Sequence, residues 1–408
     1  MRRPSVKHMT LATTMMVMLA PPASLMAQAA DESMTRLLDS AIDSAIDENR
    51  VVGAVVLVSH DGELVYHRAA GMADTAAGIT MTEDTIFRLS SLSKPIVTAA
   101  AMRLVDDGIL DLDAPVTDWL PDFRPGFDGE TPVITLRQLL SHTSGVSYRG
   151  FEFGSGPYTD AGVQDGAFGT GITLEENVTR IATAPLTFEP GTGWGYGLGV
   201  DVIGRVIEVA TNLPLEVAVR DLVTGPLGMS ATGFHVPVWE ESRLSVSYRD
   251  AENGPVAMSD HEWVPFAGTV AKVLFEPPRA TDPDAWPSAG AGMSGTPPDF
   301  LELLETFRPA QSFFSDEALM AMYQPVAGED AASNGPGWGF GIGGAILIDP
   351  EKSGTPQPEG TFSWSGAYGH TWFIDPENNL VVVAMTNTTW EGMSGQFSID
   401  IRNAVYGN

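Results

Sequence analysis

The placement of strand-forming residues is the feature that most constrains the fold, because they lie near both ends of the chain. Gly53–Ser59 is an unbroken apolar run rich in β-branched residues, which predicts a buried strand. Asp61-Gly62 is typical of a tight hairpin turn, and Leu64–Ala70 supplies the returning strand. Further strand-like segments lie near the end of the chain, at residues 338–348, 361–364, 369–374 and 380–385. We therefore expect one antiparallel sheet built from both chain ends.

Helical patterns flank these strands and also occupy the region between them. Asp31–Asn49 repeats apolar residues at helical spacing, and a closing helix is expected at Phe397–Val405. Shorter helices are expected at Leu136–Ser141, Leu198–Ala210 and Phe300–Thr306. The sequence thus predicts an α+β fold with a sheet lobe, at about residues 30–90 and 300–408, flanked by helices. A mainly helical lobe is expected at about residues 91–299.

The first 29 residues have the composition of a secretory signal. Residues 2–7 form a basic start, Met9–Leu19 is a short apolar stretch, and Ala27-Gln28-Ala29 matches a small-x-small cleavage pattern. The apolar stretch is too short for a membrane-spanning helix. We expect a bacterial protein that is exported to the periplasm or secreted, has no membrane anchor and forms one domain over residues 30–408.

Composition excludes several kinds of protein and site. The chain has no cysteine, which rules out disulfides, zinc thiolate sites and cysteine nucleophiles. With 52 acidic against 22 basic residues and a net charge of −30, nucleic acid is not an expected partner. The seven histidines are scattered, and no His-Glu-x-x-His motif occurs. We therefore expect no metal and no cofactor, and the sequence leaves the oligomeric state open.

Ser91-Leu92-Ser93-Lys94 is the strongest local indication of chemistry. Residues three apart share one face of a helix, so the Ser91 hydroxyl and the Lys94 amine are expected side by side. A neighbouring lysine can activate a serine as a nucleophile without a histidine. Pro95 fits only the first helical turn, where free N–H groups favour a developing oxyanion. The alternative is a serine that caps a helix beside an exposed lysine.

Tyr196 is the candidate for a second group that handles protons. It lies in the glycine-dense loop 191–197, which leads into a helix. A lysine ammonium nearby favours the phenolate, which can act as a base. The alternative is a tyrosine that packs in a loop. The Gly-x-Ser-x-Gly motif is absent, and its nearest match at 292–296 has its final glycine one residue early, so a histidine-based triad is disfavoured.

Three segments resemble the motifs of the serine β-lactamase and penicillin-binding-protein superfamily. They are Ser91-x-x-Lys94, Pro190-Gly191-Thr192 followed by Tyr196, and Trp364-Ser365-Gly366-Ala367. Similar companion segments are Leu139–Gly145, Gly145–Tyr148, Tyr368–Phe373 and Trp372–Pro376. The resemblance covers essentially the whole chain after residue 29 and is strongest to the family VIII carboxylesterases, which share the class C β-lactamase fold.

The resemblance implies a serine carboxylesterase that works through an acyl-enzyme on Ser91. Tyr196 would take the serine proton, as a phenolate or through Lys94. The backbone N–H groups of Ser91 and Ala367 would form the oxyanion hole. The residues expected to contact the substrate are Tyr148, Leu198, Trp364, Ser365 and Gly366. His370 is expected to be a structural histidine.

Two departures from the β-lactamase pattern bear on the substrate. Trp364 stands where the superfamily usually has a lysine that holds a substrate carboxylate, and Leu198 stands where it usually has an asparagine. Both changes replace polar recognition by apolar surface, which favours short-chain neutral esters as small-molecule substrates. The alternatives are a β-lactamase or D-amino-acid peptidase on the same fold, and a non-catalytic binding module.

Overall fold

The computed structural model of the protein describes residues 23–266, 272–309 and 311–407. Most of the expected export signal, residues 1–22, lies outside this range. The remainder of that segment belongs to the first helix, which begins at Ala23. Among the described helices, none is both long enough and apolar enough to cross a bilayer.

Twelve α-helices are present in the described residues. In chain order they are α1 (Ala23–Asp47), α2 (Ser93–Asp106), α3 (Leu136–Leu140), α4 (Pro157–Asp160), α5 (Leu174–Thr183), α6 (Gly199–Thr211), α7 (Leu215–Val219), α8 (Pro297–Glu305), α9 (Asp316–Tyr323), α10 (Pro350–Ser353), α11 (Thr389–Ser394) and α12 (Gln396–Val405).

Fourteen β-strands accompany them in the same part of the chain. They are β1 (Gly53–His60), β2 (Glu63–Asp74), β3 (Ile79–Thr80), β4 (Phe87–Arg88), β5 (Tyr248–Arg249), β6 (Val256–Ala257), β7 (Glu262–Pro265), β8 (Lys272–Phe275), β9 (Ser294–Gly295), β10 (Trp338–Phe340), β11 (Ala345–Leu347), β12 (Phe362–Gly366), β13 (His370–Asp375) and β14 (Leu380–Thr386).

Eight of these strands form one antiparallel sheet in the order β10-β11-β12-β13-β14-β1-β2-β3. The central pairing joins the two ends of the chain, with Val56 opposite Ala384 on β14 and Arg68 on β2. The sequence-based prediction of a single antiparallel sheet from both termini is therefore confirmed. The β1–β2 turn has positive φ at Asp61 (53°) and Gly62 (82°), as the Asp-Gly pair predicts.

The sheet is buried on both faces, which explains why β1 is apolar throughout. Successive side chains on a strand point to opposite faces. Val56 and Val58 pack with helices α1 and α12, whereas Val55 and Leu57 face the core shared with the helical part of the chain. A strand covered on both sides has no reason to alternate polar and apolar residues.

Helix α2 runs through the interior and positions the candidate nucleophile. Eleven of its fourteen residues are buried, and it packs against α6 and α7. Small residues at Ala99–Ala101 allow these close contacts. A helix held on all sides in this way keeps its N-terminal end fixed relative to the sheet.

Two sequence expectations needed adjustment in detail. Ser91 lies in a short 3-10 turn, Ser90–Leu92, that precedes α2, rather than in the helix itself. The strand expected at residues 338–348 is a hairpin, β10 and β11, because the glycines at 341, 343 and 344 make a turn in which Gly343 has a φ of 86°. The limits of the two lobes stay a prediction.

Candidate active site

The turn that carries Ser91 is fixed by contacts on both sides. Before it, β4 pairs with β9, and the Arg88 carbonyl accepts a hydrogen bond from Nε2 of His370 at 2.8 Å. The Leu89 N–H donates to the Met293 carbonyl at 2.9 Å. Ser90 is buried in the left-handed region with a φ of 48°, which is uncommon outside glycine and is often found at functional sites. Ser91 itself remains partly exposed.

Lys94 lies on the first turn of α2 and is only 2% exposed. Its Nζ donates to the Gly290 carbonyl at 2.7 Å and to Ser91 Oγ at 3.3 Å. A surface lysine beside a capping serine, the alternative reading of the motif, does not fit this burial. The structure therefore places the amine directly against the serine hydroxyl.

Tyr196 contacts the same hydroxyl from the loop that precedes α6. Its OH donates to Ser91 Oγ at 2.8 Å, and its ring centroid lies 4.7 Å from Lys94 Nζ. Trp364 Nε1 donates to the Tyr196 oxygen at 3.2 Å. The three side chains that the sequence picked out, Ser91, Lys94 and Tyr196, thus form one contact network.

The glycines of the Tyr196 loop are needed for this approach. A Cβ on Gly197 would collide with the Val146 carbonyl oxygen, so only glycine lets the loop lie so close to the neighbouring segment. The Gly197 N–H donates to Nδ1 of His142 at 3.3 Å. Backbone contacts, rather than side-chain packing alone, therefore hold Tyr196 in place.

His142 is a site residue that the sequence reasoning did not select. Its ring lies 4.6 Å from that of Tyr196 and 5.2 Å from that of Phe340, measured between centroids. Burial, together with the nearby Lys94 charge, lowers the pKa of His142 well below its ordinary value. It is neutral at pH 7 and, because Nδ1 accepts a hydrogen bond, carries its proton on Nε2. Its only sequence signal was its place in the Leu139–Gly145 companion segment.

The end of β12 closes the other side of the site. Gly366 packs so tightly against the Ser91 turn that a Cβ there would lie 2.7 Å from the Leu89 carbonyl oxygen. Trp364 is 9% exposed, and Ser365 and Ala367 are half-buried. Outside the helices and strands of the described chain, neither Ser91 nor Ala367 donates its N–H to a backbone carbonyl. These two N–H groups are the oxyanion donors that the resemblance implies.

Two residues that were expected to contact the substrate, Tyr148 and Leu198, lie at different depths in the structure. Tyr148 is partly exposed, and its ring lies 5.5 Å from that of Tyr196 and 5.7 Å from Lys94 Nζ, so it borders the site. Burial and the neighbouring Tyr196 raise the pKa of Tyr148 well above its ordinary value. Leu198 has no exposed surface and belongs to the core below the site. The structure gives no support to a direct contact between Leu198 and a substrate.

Asp201 is a second residue that sequence reasoning missed. It lies on α6 with no exposed surface, and its Oδ1 accepts hydrogen bonds from Ser288 Oγ at 2.7 Å and from the Gly290 N–H at 3.3 Å. Gly290 also supplies the carbonyl that holds Lys94. The only signal in the sequence was a carboxylate inside the otherwise apolar segment 198–204.

This arrangement suits nucleophilic attack on a carbonyl carbon. It provides a hydroxyl in contact with an amine and a phenol, and two backbone N–H groups on the strand and turn that border it. No group of three or more metal-binding side chains occurs among the described residues.

Comparisons with known proteins agree with this geometry. The model of the β-lactamase family matches residues 38–400. The chain is 47% identical to esterase EstB of Burkholderia gladioli, over 92% of this chain and 95% of that protein. It is 42% identical to the solved structure of EstCE1, described as a hydrolase with promiscuous acyltransferase activity. The TM-score is 0.90, and the match covers 93% of this chain and 100% of the other.

A more distant structural match shows how widely the fold is shared. Simvastatin synthase (LovD) of Aspergillus terreus has a TM-score of 0.71 at 22% identity, covering 91% of this chain and 98% of the other. The protein belongs to the β-lactamase family. The resemblance to the esterases of that superfamily and the predicted fold are confirmed.

Proposed function

We propose that this protein is a serine carboxylesterase that hydrolyses short-chain neutral esters through an acyl-enzyme on Ser91. The observation that carries the proposal is the contact of Ser91 Oγ with both the Tyr196 hydroxyl, at 2.8 Å, and Lys94 Nζ, at 3.3 Å. This contact brings together a nucleophile and a proton acceptor, the minimum that acyl transfer to a serine requires.

The reaction has two halves. In the first, Ser91 Oγ attacks the ester carbonyl carbon, its proton passes to Tyr196, as a phenolate or by way of Lys94, and the carbonyl oxygen becomes an oxyanion held by the N–H groups of Ser91 and Ala367. The C–O bond to the alcohol then breaks, and Tyr196 returns the proton to the leaving oxygen. In the second half, water repeats the sequence on the acyl-enzyme and releases the acid.

The surroundings of Tyr196 support an ester as the substrate. Where a lysine would hold a carboxylate in lactam or peptide substrates, Trp364 places an indole whose N–H is already engaged by the Tyr196 oxygen. A charged substrate would lose water there without gaining a cation. The similarity to esterase EstB and to EstCE1 favours the same substrate class.

The test compares p-nitrophenyl acetate and butyrate with a chromogenic cephalosporin, using wild type and Ser91→Ala. We expect ester turnover that the substitution abolishes, and cephalosporin turnover that is far slower. Ser40→Ala, on the exposed side of α1, is the matched serine control and should behave as wild type. Absence of ester turnover, or turnover that survives in Ser91→Ala, contradicts the proposal. Comparable rates on the cephalosporin would favour a β-lactamase.

Acyl transfer to an alcohol is a second candidate activity. EstCE1, which is 42% identical, is described as having promiscuous acyltransferase activity, and the same acyl-enzyme can react with an alcohol in place of water. Incubation with vinyl acetate and a primary alcohol, followed by product analysis, tests this. The new ester should form with wild type but not with Ser91→Ala.

We also propose that the protein is exported to the periplasm or secreted. The basic start, the apolar stretch Met9–Leu19 and the Ala27-Gln28-Ala29 pattern support this. Expression in a bacterium, cell fractionation and N-terminal sequencing provide the test. An exported product that begins at Ala30 is expected, whereas a cytosolic product that retains residues 1–29 contradicts the proposal.

A further inference from the structure

A buried carboxylate lies behind the lysine of the site, and the mechanism above leaves it unused. Asp201 has no exposed surface, and its Oδ1 is held by Ser288 Oγ and by the Gly290 N–H. Its Oδ2 is also buried, and it has no hydrogen-bond partner among the described residues. A buried carboxylate oxygen without a partner is costly, so this arrangement calls for a reason.

Gly290 connects this carboxylate to Lys94. Its N–H donates to Asp201, and its carbonyl accepts from Lys94 Nζ at 2.7 Å. A Cβ placed on Gly290 would lie 2.8 Å from Asp201 Oδ2 and 3.4 Å from Lys94 Nζ. The two charged atoms therefore border the same space and are at most about 6 Å apart, a distance at which opposite charges stabilise each other strongly in a buried setting.

We propose that Asp201 is a positioning residue whose buried carboxylate holds the Lys94 amine directed at Ser91, and that Gly290 is required because its missing side chain lets the two groups face each other. The inference rests on the proposed function and deepens it, because it identifies what holds Lys94 in place against the nucleophile.

Other charged or titratable groups surround Lys94 and Asp201, so the question is whether one of them could supply the negative charge in place of Asp201. Those that interact with Lys94 or Asp201 are Tyr148, Tyr196, His142, Asp165 and Arg279. Burial raises the pKa of Tyr148 and lowers that of His142, so both are neutral near pH 7.

Two of these groups carry charge that bears on Asp201. Burial raises the pKa of Asp165 to about 7, and its two oxygens accept the N–H groups of Arg149 and Gly150. Arg279 attracts Asp201 electrostatically. Burial raises the pKa of Asp201, while the Ser288 hydrogen bond and the Lys94 charge oppose this. The Lys94 charge therefore helps Asp201 to stay a carboxylate.

The decisive variant is Asp201→Asn, which keeps the shape and removes the charge. Its matched control is Asp299→Asn, which removes another largely buried carboxyl, bonded to Thr232 and the Ala231 N–H away from the site. The readout is the second-order rate at which a fluorophosphonate labels Ser91, measured by mass spectrometry from pH 5 to 10. Labelling reports activation of Ser91 whether or not the natural reaction is ester hydrolysis.

Removing a neighbouring negative charge makes protons easier to lose, so both limbs of the pH profile should move to lower pH in Asp201→Asn. The alkaline limb should move by about one unit, and the maximal rate should fall at least about tenfold. Asp299→Asn should keep the wild-type profile. A profile in Asp201→Asn that superimposes on wild type, or an equal shift in the control, overturns the inference.

Gly290→Ala tests the approach of Asp201 to Lys94 by changing the residue that lies between them. The new methyl would occupy the space between Oδ2 and Nζ, so labelling should fall at least about tenfold while the fold is retained by circular dichroism. Gly328→Ala, where no atom lies within 4 Å of the added Cβ, should label as wild type. Full labelling of Gly290→Ala overturns the inference. Failure of the proposed function looks different, since Ser91 would then be labelled normally but no ester would be turned over.

Discussion

The indole Nε1 of Trp364 donates a hydrogen bond to the hydroxyl oxygen of Tyr196 at 3.2 Å, while that hydroxyl donates to Ser91 Oγ at 2.8 Å. A donor aimed at an oxygen that becomes negative stabilises the phenolate more than the phenol. Trp364 therefore does two things at once: it removes the cation that an anionic substrate would need, and it supports the proton acceptor.

Trp364→Phe separates these two roles, because it keeps the aromatic ring and removes the N–H. One lost hydrogen bond is worth about 1 kcal/mol, so kcat/KM for p-nitrophenyl acetate should fall about fivefold. The acid limb of the pH profile should move to higher pH, since the phenolate has lost a donor. The measurement is kcat/KM from pH 5 to 10.

Trp338→Phe is the matched control for this change. Its indole N–H donates to Ser353 Oγ at 2.9 Å, away from Ser91, so the variant should lose stability without a change in pH profile. An unshifted acid limb in Trp364→Phe would show that the indole hydrogen bond does not act on the proton acceptor.

Gly366→Ala tests whether the position of the end of β12, which carries the Ala367 N–H, affects the rate while Ser91 itself is left unchanged. The added Cβ would lie 2.7 Å from the Leu89 carbonyl oxygen and 2.8 Å from Leu92 Cδ1, which forces the end of β12 away from the Ser91 turn. The Ala367 N–H moves with it, and loss of one oxyanion donor costs about a hundredfold or more in kcat. We expect kcat for p-nitrophenyl acetate to fall by that factor while KM changes little.

Gly328→Ala again serves as the glycine control, with wild-type kinetics expected. A kcat for Gly366→Ala within threefold of wild type would mean that the strand end contributes nothing to the oxyanion site. A large rise in KM with normal kcat would instead assign Gly366 to substrate binding.

The sequence predicted those parts of the molecule whose signals are local. The strand β1 and the turn Asp61-Gly62 follow from β-branched residues and an Asp-Gly pair, and both were found where expected. The Ser91–Lys94 contact also follows from residues three apart. Tyr196 is 105 residues from Ser91, and only the resemblance to a known family connected the two.

The parts that escaped prediction depend on long-range contacts. Asp201 and Gly290 are 89 residues apart, and neither stands out in its own segment: one is a polar residue on an amphipathic helix, the other a glycine among many. The left-handed conformation of Ser90 follows directly after the β4–β9 pairing and the Leu89–Met293 hydrogen bond, both of which join distant segments of the chain. Leu198 was assigned from a motif position, but burial of that position depends on the whole core.

His142 should matter for catalysis through the position of Tyr196. Its Nδ1 accepts the Gly197 N–H, its ring packs on Tyr196, and its φ of 59° is left-handed. Alanine removes the acceptor and the ring and disfavours that φ, so kcat should fall about tenfold or more and Tm should drop. Asparagine tolerates the same backbone and offers an acceptor, so His142→Asn should recover part of both.

The paired comparison of these two variants is the check, with kcat and Tm measured for each. Equal losses of kcat in the two variants, although His142→Asn restores Tm, would show that packing of the His142 ring positions Tyr196, and that the hydrogen bond to Gly197 does not. Wild-type kcat in His142→Ala would remove His142 from the site altogether.

The burial of His370 should make the free energy of unfolding depend on pH, separately from any effect of pH on catalysis. Burial lowers the pKa of His370 to about 4, although Nε2 donates to the Arg88 carbonyl at 2.8 Å. The unfolded chain takes up a proton below its ordinary pKa of about 6.5, and the folded chain does not do so until about pH 4. Between these values the unfolded state binds more protons, so the free energy of unfolding falls as the pH falls, by about 3 kcal/mol in all at pH 4.

His370→Gln removes this titration and keeps an amide that can donate to the Arg88 carbonyl. Urea unfolding at a series of pH values should show the variant less stable than wild type at pH 7, with the gap narrowing steadily as the pH falls from 6.5 to 4. His235→Gln, at an exposed position, should keep a constant difference from wild type. A gap between wild type and His370→Gln that stays constant over this range would show that His370 does not remain neutral in the folded protein.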